Sequence, residues 1–174
     1  MSNKFVDYVE LNGVEKIINY LTSYIIQNDN ICKLLKYNDE NALSYSLTDE
    51  DRYILIDSNP INKDNRRIYF QPYINKTIIK EQTELRIYPA SFDIETRVLG
   101  KVYLAIDIIL HNDLWDLVDS RIRPLALLNE LLISLNGTNV EGIGLLNLEK
   151  ERISLIAYND YISGYRIILC TRVV

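Results

Sequence analysis

The segment KVYLAIDIILH, residues Lys101–His111, decides the fold, because its apolar residues alternate with a period of two over the length of a long strand. The side chains on one of its faces are all aliphatic: Val102, Leu104, Ile106, Ile108 and Leu110. The other face carries Tyr103, Ala105, Asp107, Ile109 and His111. That second face is more apolar than a face in water needs to be. We therefore predict a central strand covered on both faces, with the N-terminal helix or a neighbouring subunit over the second one.

A helix follows this strand in the segment RIRPLALLNELLISLNG, residues 121–137. Its predicted buried stripe consists of leucines that share one side of a helix: Leu125, Leu127, Leu128, Leu131, Leu132 and Leu135. Pro124 suits an early helical position, and Asn136-Gly137 suits the end. Ala126 and Ile133 lie on the predicted solvent side, which gives that side an apolar centre. Either a partner subunit covers them or the N-terminal arm of the same chain does.

The sequence before the central strand begins with helical spacing. Apolar residues recur from Val14 to Leu35 and are interrupted at residues 28–30, which predicts a broken helix or two short ones. Thr48 precedes three acids, as in a capped first turn, and a short helix or a short strand can follow it. The turn-forming run DSNPINKDN then opens an extended loop or arm at about residues 57–80.

Short alternating segments surround the central strand. Arg67–Gln71 and Glu84–Tyr88 are predicted strands, and Pro89 is expected to end the second. The segments GIGLLNL, RISLIAYN and YRIILCTRVV complete the sheet after the helix. The order of elements predicts one α+β domain over residues 1–174. A mostly antiparallel sheet is packed by the N-terminal helix and a second helix at about residues 121–136.

Composition excludes several classes of protein. The 174 residues carry a net charge of −5, so a surface built to neutralise phosphates is not expected. Cys32 and Cys170 lie outside any C-x-x-C spacing, which predicts free thiols, with a disulfide as the alternative. The N-terminal segment does not resemble a signal peptide, and no apolar run approaches the length of a membrane span. We expect synthesis in a cytoplasm and no membrane partner.

The segment RRIYFQPYINK mixes basic and aromatic residues: Arg66, Arg67, Tyr69, Phe70, Tyr73 and Lys76. Such a mixture could stack and neutralise a single nucleic acid strand, although the acidic chain makes this the minority interpretation. The same residues suit an arm that contacts a neighbouring subunit, because aromatics and arginine are enriched at interfaces. An ordinary surface strand with its aromatic side inward is slightly favoured over either function.

No catalytic signature is present in the sequence. His111, the sole histidine, could combine with Asp107, Asp113 and Asp116 in a metal or ligand site, but their spacing fits no metal motif. A strand-end histidine bonded to its turn is the favoured interpretation. Gly142-Ile143-Gly144 lacks the third glycine and the helix start of a phosphate-binding loop. We predict a protein that is not an enzyme and has no cofactor or metal, with a stand-alone metal- or ligand-binding domain or enzyme using His111 as the alternative.

The order of these elements resembles the tail terminator and neck proteins of tailed bacteriophages. The resemblance runs from about residue 84 to residue 174 and rests on TRVLGKVYLAIDIILHND, RIRPLALLNELLISLNG and GIGLLNL. It implies a ring, commonly of six copies, that caps the tail tube and joins it to the head connector. The virion head–tail junction would be its location, and duplex DNA would pass through the ring without specific binding. The expected subunit interface comprises Arg66, Arg67, Tyr69, Phe70, Tyr73, Ala126 and Ile133.

Overall fold

A computed structural model describes residues 12–73, 81–94, 100–140 and 144–173 of the chain. Within these ranges the α-helices are α1 (Asn12–Gln27), α2 (Asp29–Lys36), α3 (Asp49–Ile54) and α4 (Arg123–Leu135). The strands are β1 (Ile68–Tyr69), β2 (Thr83–Ile94), β3 (Gly100–His111), β4 (Asn139–Val140), β5 (Gly144–Leu145), β6 (Asn147–Ala157) and β7 (Ile162–Val173). The main sheet has the order β1-β2-β3-β7-β6, and β4 pairs with β5 separately.

The predicted α+β class with a mostly antiparallel sheet is confirmed. Strand β3 lies at the centre and pairs antiparallel with both β2 and β7, while only the short β1 runs parallel to its neighbour. The helix side of the sheet contains the main core. Its members come from α1, α2, α4 and the inward-facing residues of β3, including Ile17, Leu21, Leu34, Leu127, Leu104 and Ile106.

The second face of β3 is also covered, as the sequence predicted, but the N-terminal helix does not cover it. Tyr103 and Ala105 pack with Ile168 of β7, whereas Ile109 packs with Tyr73 and with Ile162 at the start of β7. Residues that surround β3 in the sheet and the segment before β2 therefore supply this cover. The N-terminal helices pack on the opposite side, because the aliphatic face of β3 offers them the larger apolar area.

The predicted break in the N-terminal helix is confirmed at Asn28. Its side chain accepts a hydrogen bond of 3.1 Å from the Ile31 amide and so caps α2. The Asn28 amide group also donates to Glu130 (3.1 Å) and Ser134 (3.0 Å) of α4. One residue therefore starts α2 and connects it to the flank of α4.

Arg123 connects the end of α2 to the start of α4. The side chain is fully buried and donates to the carbonyl oxygens of Leu114 (2.8 Å), Leu34 (3.0 Å), Tyr37 (2.7 Å) and Asp39 (2.6 Å). Burial lowers the pKa of this guanidinium. It remains charged because these carbonyls, several at the negative end of α2, surround it with acceptors.

Two other local predictions have opposite outcomes. Thr48 begins a helix with a complete capping box, which settles the choice between helix and strand at α3. The expectation that Pro89 ends its strand is wrong, because β2 continues to Ile94. The pairing shifts its register between Pro89 and Ser91, and β1 reaches only as far as Arg86. No described strand pairs with β2 at Pro89 on that side, so the absence of an N–H on proline costs no hydrogen bond between strands.

Candidate interaction surfaces

The outer side of α4 exposes a strip of apolar side chains, the α4 strip. Ile122, Leu125 and Ile133 are 40%, 41% and 71% exposed. Ile133 therefore lies in water within this chain, whereas Ala126 is partly buried and packs against the main core. Leu125 was predicted to be buried, and that prediction is wrong. It lies at the margin of the leucine stripe, outside the contact that Leu127 and its neighbours make with the sheet.

The helix layer packs mainly on the inner strands, and it meets β6 at its start, where the Leu148 amide donates to Asn136 at the end of α4 (2.8 Å). Helix α2 packs on β2, and α4 packs on β3 and β7. Among the described residues, β6 is the edge strand beyond β7 and pairs with a strand on one side only. Ile153 and Leu155 of β6 are 37% and 62% exposed, and Tyr161 after it is 66% exposed. We call these three residues the β6 edge surface.

The opposite edge of the sheet carries the predicted basic and aromatic residues, here called the arginine–tyrosine cluster: Arg66, Arg67, Tyr69, Glu84 and Arg86. The Arg86 guanidinium carbon lies 4.0 Å from the centre of the Tyr69 ring, and that of Arg66 lies 4.9 Å from it. The nitrogens of Arg86 donate to Glu84 at 2.9 and 2.5 Å. The structure thus places Arg86 on the Tyr69 ring and Glu84 on Arg86, and sequence reasoning missed both residues.

The arginine–tyrosine cluster contains more positive charge than it neutralises. Glu84 pairs with Arg86, and this pair is almost fully buried. Arg66 uses only Nε, which donates to the Ile68 carbonyl at 2.9 Å, so its two terminal nitrogens donate no hydrogen bond within the described residues. Arg67 is buried, its Nε lacks a partner, and burial lowers the pKa of its guanidinium. Asp57 and Asp64 lie within electrostatic range of Arg66 and Arg67, so the terminal nitrogens of Arg66 are what the cluster offers to an additional anionic group.

The aromatic rings of this segment are mostly engaged inside the chain. Tyr73 is buried and packs on Tyr158 with ring centres 4.4 Å apart, while Tyr69 lies beside two guanidinium groups. Phe70 is 41% exposed, and the Arg66 guanidinium carbon lies 5.8 Å from the centre of its ring. Stacking of successive bases needs several free rings. The geometry therefore favours the inward aromatic side that the sequence analysis preferred, with Phe70 and Arg66 left for a partner.

A polar row crosses the second face of the sheet. Register places Tyr69 beside Arg86, Arg86 beside Asp107, Asp107 beside Arg166, and Arg166 beside Ser154. Asp107 is fully buried and accepts from Arg166 Nε at 2.6 Å and Nη2 at 2.8 Å. The sequence showed Asp107 on this face, but its arginine partner lies 59 residues away and no local pattern identifies it.

Two tyrosines complete the Asp107 site. The hydroxyls of Tyr88 and Tyr158 donate to Asp107 Oδ2 at 2.8 and 3.2 Å, and Arg166 donates to the Tyr88 hydroxyl at 2.8 Å. Burial and the nearby carboxylate raise the pKa of Tyr158 to about 12 and also raise that of Tyr88. These hydroxyls remain protonated donors at neutral pH, and together with Arg166 they surround the Asp107 carboxylate with hydrogen-bond donors.

The structure places His111 at the end of β3, bonded to its own turn. Its Nδ1 accepts from the Asp113 amide at 3.4 Å, and its ring stacks at 6.0 Å from that of Tyr161. Asp107 is engaged by Arg166, and Asp116 bridges to Ile122. Among the described residues, no group of three or more metal-ligating side chains comes together. A cleft of about 510 Å³ is lined by residues of α3 and the loop after it, among them Glu50, Tyr53 and Asn62, and His111 is not part of it.

Comparison with known protein families gives one match, which covers both edges of the sheet. A family model named YomW matches residues 28–171. The chain belongs to the YomW family. YomW is the name of a phage-derived, prophage-like protein, which is consistent with a phage origin. No curated protein matches the chain.

The YomW match begins at the Asn28 cap of α2, so α1 lies before the matched region. It includes the arginine–tyrosine cluster, the α4 strip, the β6 edge surface and the Asp107 site. Both cysteines also lie within it and are free, as predicted, and burial raises the pKa of Cys32 to about 11. In the described part of the chain, none of the helices has the length and apolar character to cross a bilayer.

Proposed function

We propose that this chain is a structural virion protein of a tailed phage, a tail terminator or neck ring that caps the tail tube and joins it to the head connector. The observation that carries the proposal is the α4 strip. Ile133 is 71% and Leu125 41% exposed on a helix that buries Leu127, Leu131 and Leu135 in the core, so the chain presents apolar side chains that it does not cover itself. Exposed apolar side chains that share one side of a helix are typical of protein contacts.

A ring accounts for more than one uncovered surface. In a cyclic assembly every subunit offers two different patches to its neighbours, and a neck ring also contacts the tail tube and the connector. The β6 edge surface and Phe70 lie at opposite edges of the sheet, and the α4 strip lies above it. The resemblance to tail terminators makes six copies the expected ring order. The YomW family supports this setting through its phage origin.

The charge of the chain suits passive passage of DNA. A net charge of −5 disfavours tight binding of phosphates, and an acidic channel wall would let duplex DNA slide without adhering.

The experiment is imaging of purified virions that carry a labelled copy of this protein. We expect the label at the head–tail junction. Ile133→Lys should lower the yield of complete virions by about tenfold or more, because a lysine is costly to bury in a dry contact. Tyr53→Lys on α3, 62% exposed, is the matched control and should assemble normally. Infectious virions that lack the protein would contradict the proposal, as would normal assembly of the Ile133 variant.

A further inference from the structure

We infer that the β6 edge surface of one copy binds the surface around Arg66 and Phe70 of a second copy, in a head-to-tail contact. This inference rests on the proposed ring and names the two surfaces that close it. They are located at opposite edges of one sheet, because β1 and β6 are its first and last strands. A single chain cannot bring them together, so each needs a partner.

The β6 edge needs cover for a physical reason. Strand β6 runs from Asn147 to Ala157, and it pairs with β7 on one side while its other side has no strand in the described residues. A long open edge with exposed apolar side chains such as Leu155 is an aggregation hazard unless something covers it. The short β1 differs, because the Leu55 carbonyl accepts from the amides of Arg67 and Ile68 at 2.9 Å and caps its outer side.

The two surfaces have opposite formal charge. Residues 60–73 contain Lys63, Arg66 and Arg67 against the single acid Asp64. Among residues 144–161, the charged side chains that the structure describes are the two acids Glu149 and Asp160. Arg66 presents two terminal nitrogens without acceptors in the described residues, next to Phe70, which is 41% exposed. A carboxylate beside an apolar residue matches that arrangement.

Charge also bears on the symmetry of the contact. A two-fold contact between two copies of the basic surface would place arginine against arginine, which is unfavourable. A head-to-tail contact places the basic surface against the acidic one instead. Repetition of such a contact closes a ring when the rotation between neighbours divides a full turn.

The test uses two variants, each blocked at one surface only. Leu155→Lys blocks the β6 edge surface, and the double variant Arg66→Glu, Phe70→Asp blocks the other. Sedimentation of the full chain should show oligomers for the wild type and monomers for each variant alone. A 1:1 mixture of the two variants should form a heterodimer and stop there, because one intact surface of each kind remains between them.

Two matched controls separate surface effects from general ones. Tyr53 and Leu155 are both 62% exposed, so Tyr53→Lys is the control for Leu155→Lys. Arg121→Glu reverses the charge of an exposed arginine that lies outside both surfaces. Both controls should assemble like the wild type. All the substituted side chains are at least partly exposed, and thermal unfolding should confirm that each variant folds.

Three outcomes would overturn the inference. They are a wild type that stays monomeric at every concentration, a double variant Arg66→Glu, Phe70→Asp that still dimerises alone, and a 1:1 mixture of the two variants that stays monomeric. The proposed function fails separately. Heterodimers in solution with no protein in virions would keep the contact and remove the neck role. Protein located at the head–tail junction, together with a mixture of the two variants that stays monomeric, would keep the neck role and remove the contact.

Discussion

The two faces of β3 are equally buried but are stabilised in different ways. Ile106 and Asp107 are adjacent and both fully buried, on opposite faces. Ile106 lies among aliphatic side chains under the helices, where stability depends on the apolar area removed from water. Asp107 lies among Arg166 and two tyrosines, where stability depends on each group keeping its partner. We therefore expect the helix face to tolerate substitutions that change the shape of an apolar side chain. We expect the second face to tolerate substitutions that change both partners of an interaction together.

The substitution that breaks both faces at once is Gly164→Ala. A Cβ on Gly164 would lie 1.8 Å from the Ile108 carbonyl oxygen, so the backbones of β3 and β7 would have to separate. We expect a loss of about 4 kcal/mol or more in the free energy of unfolding, or no soluble protein. Urea unfolding followed by circular dichroism measures it.

Gly137→Ala is the control for that effect. Gly137 has a positive φ of 78°, but a Cβ there meets nothing within 4 Å. Its cost should be only the left-handed backbone strain of about 1 kcal/mol. Equal losses in the two variants would show that close approach of β3 and β7 is not what requires glycine at position 164.

The second prediction compares the two faces directly. Ile106→Ala should cost about 3 kcal/mol through lost contacts and a cavity. Asp107→Leu should cost about as much, although it adds apolar volume, because it leaves the Arg166 charge and two tyrosine hydroxyls without their acceptor. Arg166 is 36% exposed at its side chain, so water reduces the penalty to some extent.

A double variant distinguishes the two kinds of stabilisation. Asp107→Leu with Arg166→Met removes both charges, and at least half of the loss should return, because a well-packed apolar pair replaces the ion pair. No second substitution should restore Ile106→Ala in this way except one that fills the cavity. If the double variant is as unstable as the sum of its single changes, the second face does not depend on matched partners.

The difference between the faces also explains what the sequence could predict. Aliphatic residues at period two identified β3 and its helix face, and cap residues identified the break at Asn28 and the end of α4, because these signals are local. At Thr48 the cap signal left a short helix and a short strand open. Arg166 and Asp107 are 59 residues apart, so their pairing depends on the order of strands in the sheet. Pro89 misled the prediction, since proline ends a strand only where a neighbour needs its N–H.

The candidate surfaces were predictable in part for the same reason. Helical spacing identified Ile133 as an exposed apolar residue, and the basic-aromatic segment identified Arg66 and Phe70. Leu125 was assigned to the core because helical spacing gives the direction of a side chain but not the width of the surface beneath it. The exposure of Leu155 depends on where the helices lie over the sheet, which is a property of tertiary packing.

The smallest predicted effect is a change of folding stability with pH that comes from a partly exposed ion pair on the helices. Lys36 forms an ion pair with Asp51, and a backbone bond from Thr48 reinforces it, so the pKa of Asp51 is lowered from 3.8 to about 2. Because the folded pKa lies below the unfolded one, the stabilisation is present above pH 3.8 and is lost as pH falls towards 2. Its size should be about 0.5–1 kcal/mol, since both side chains are partly exposed.

Asp51→Asn keeps an acceptor for Thr48 but removes the charge. Urea unfolding at pH 5 and pH 2 should therefore show a smaller loss of stability on acidification in the variant than in the wild type, and equal losses would show that the pair contributes nothing.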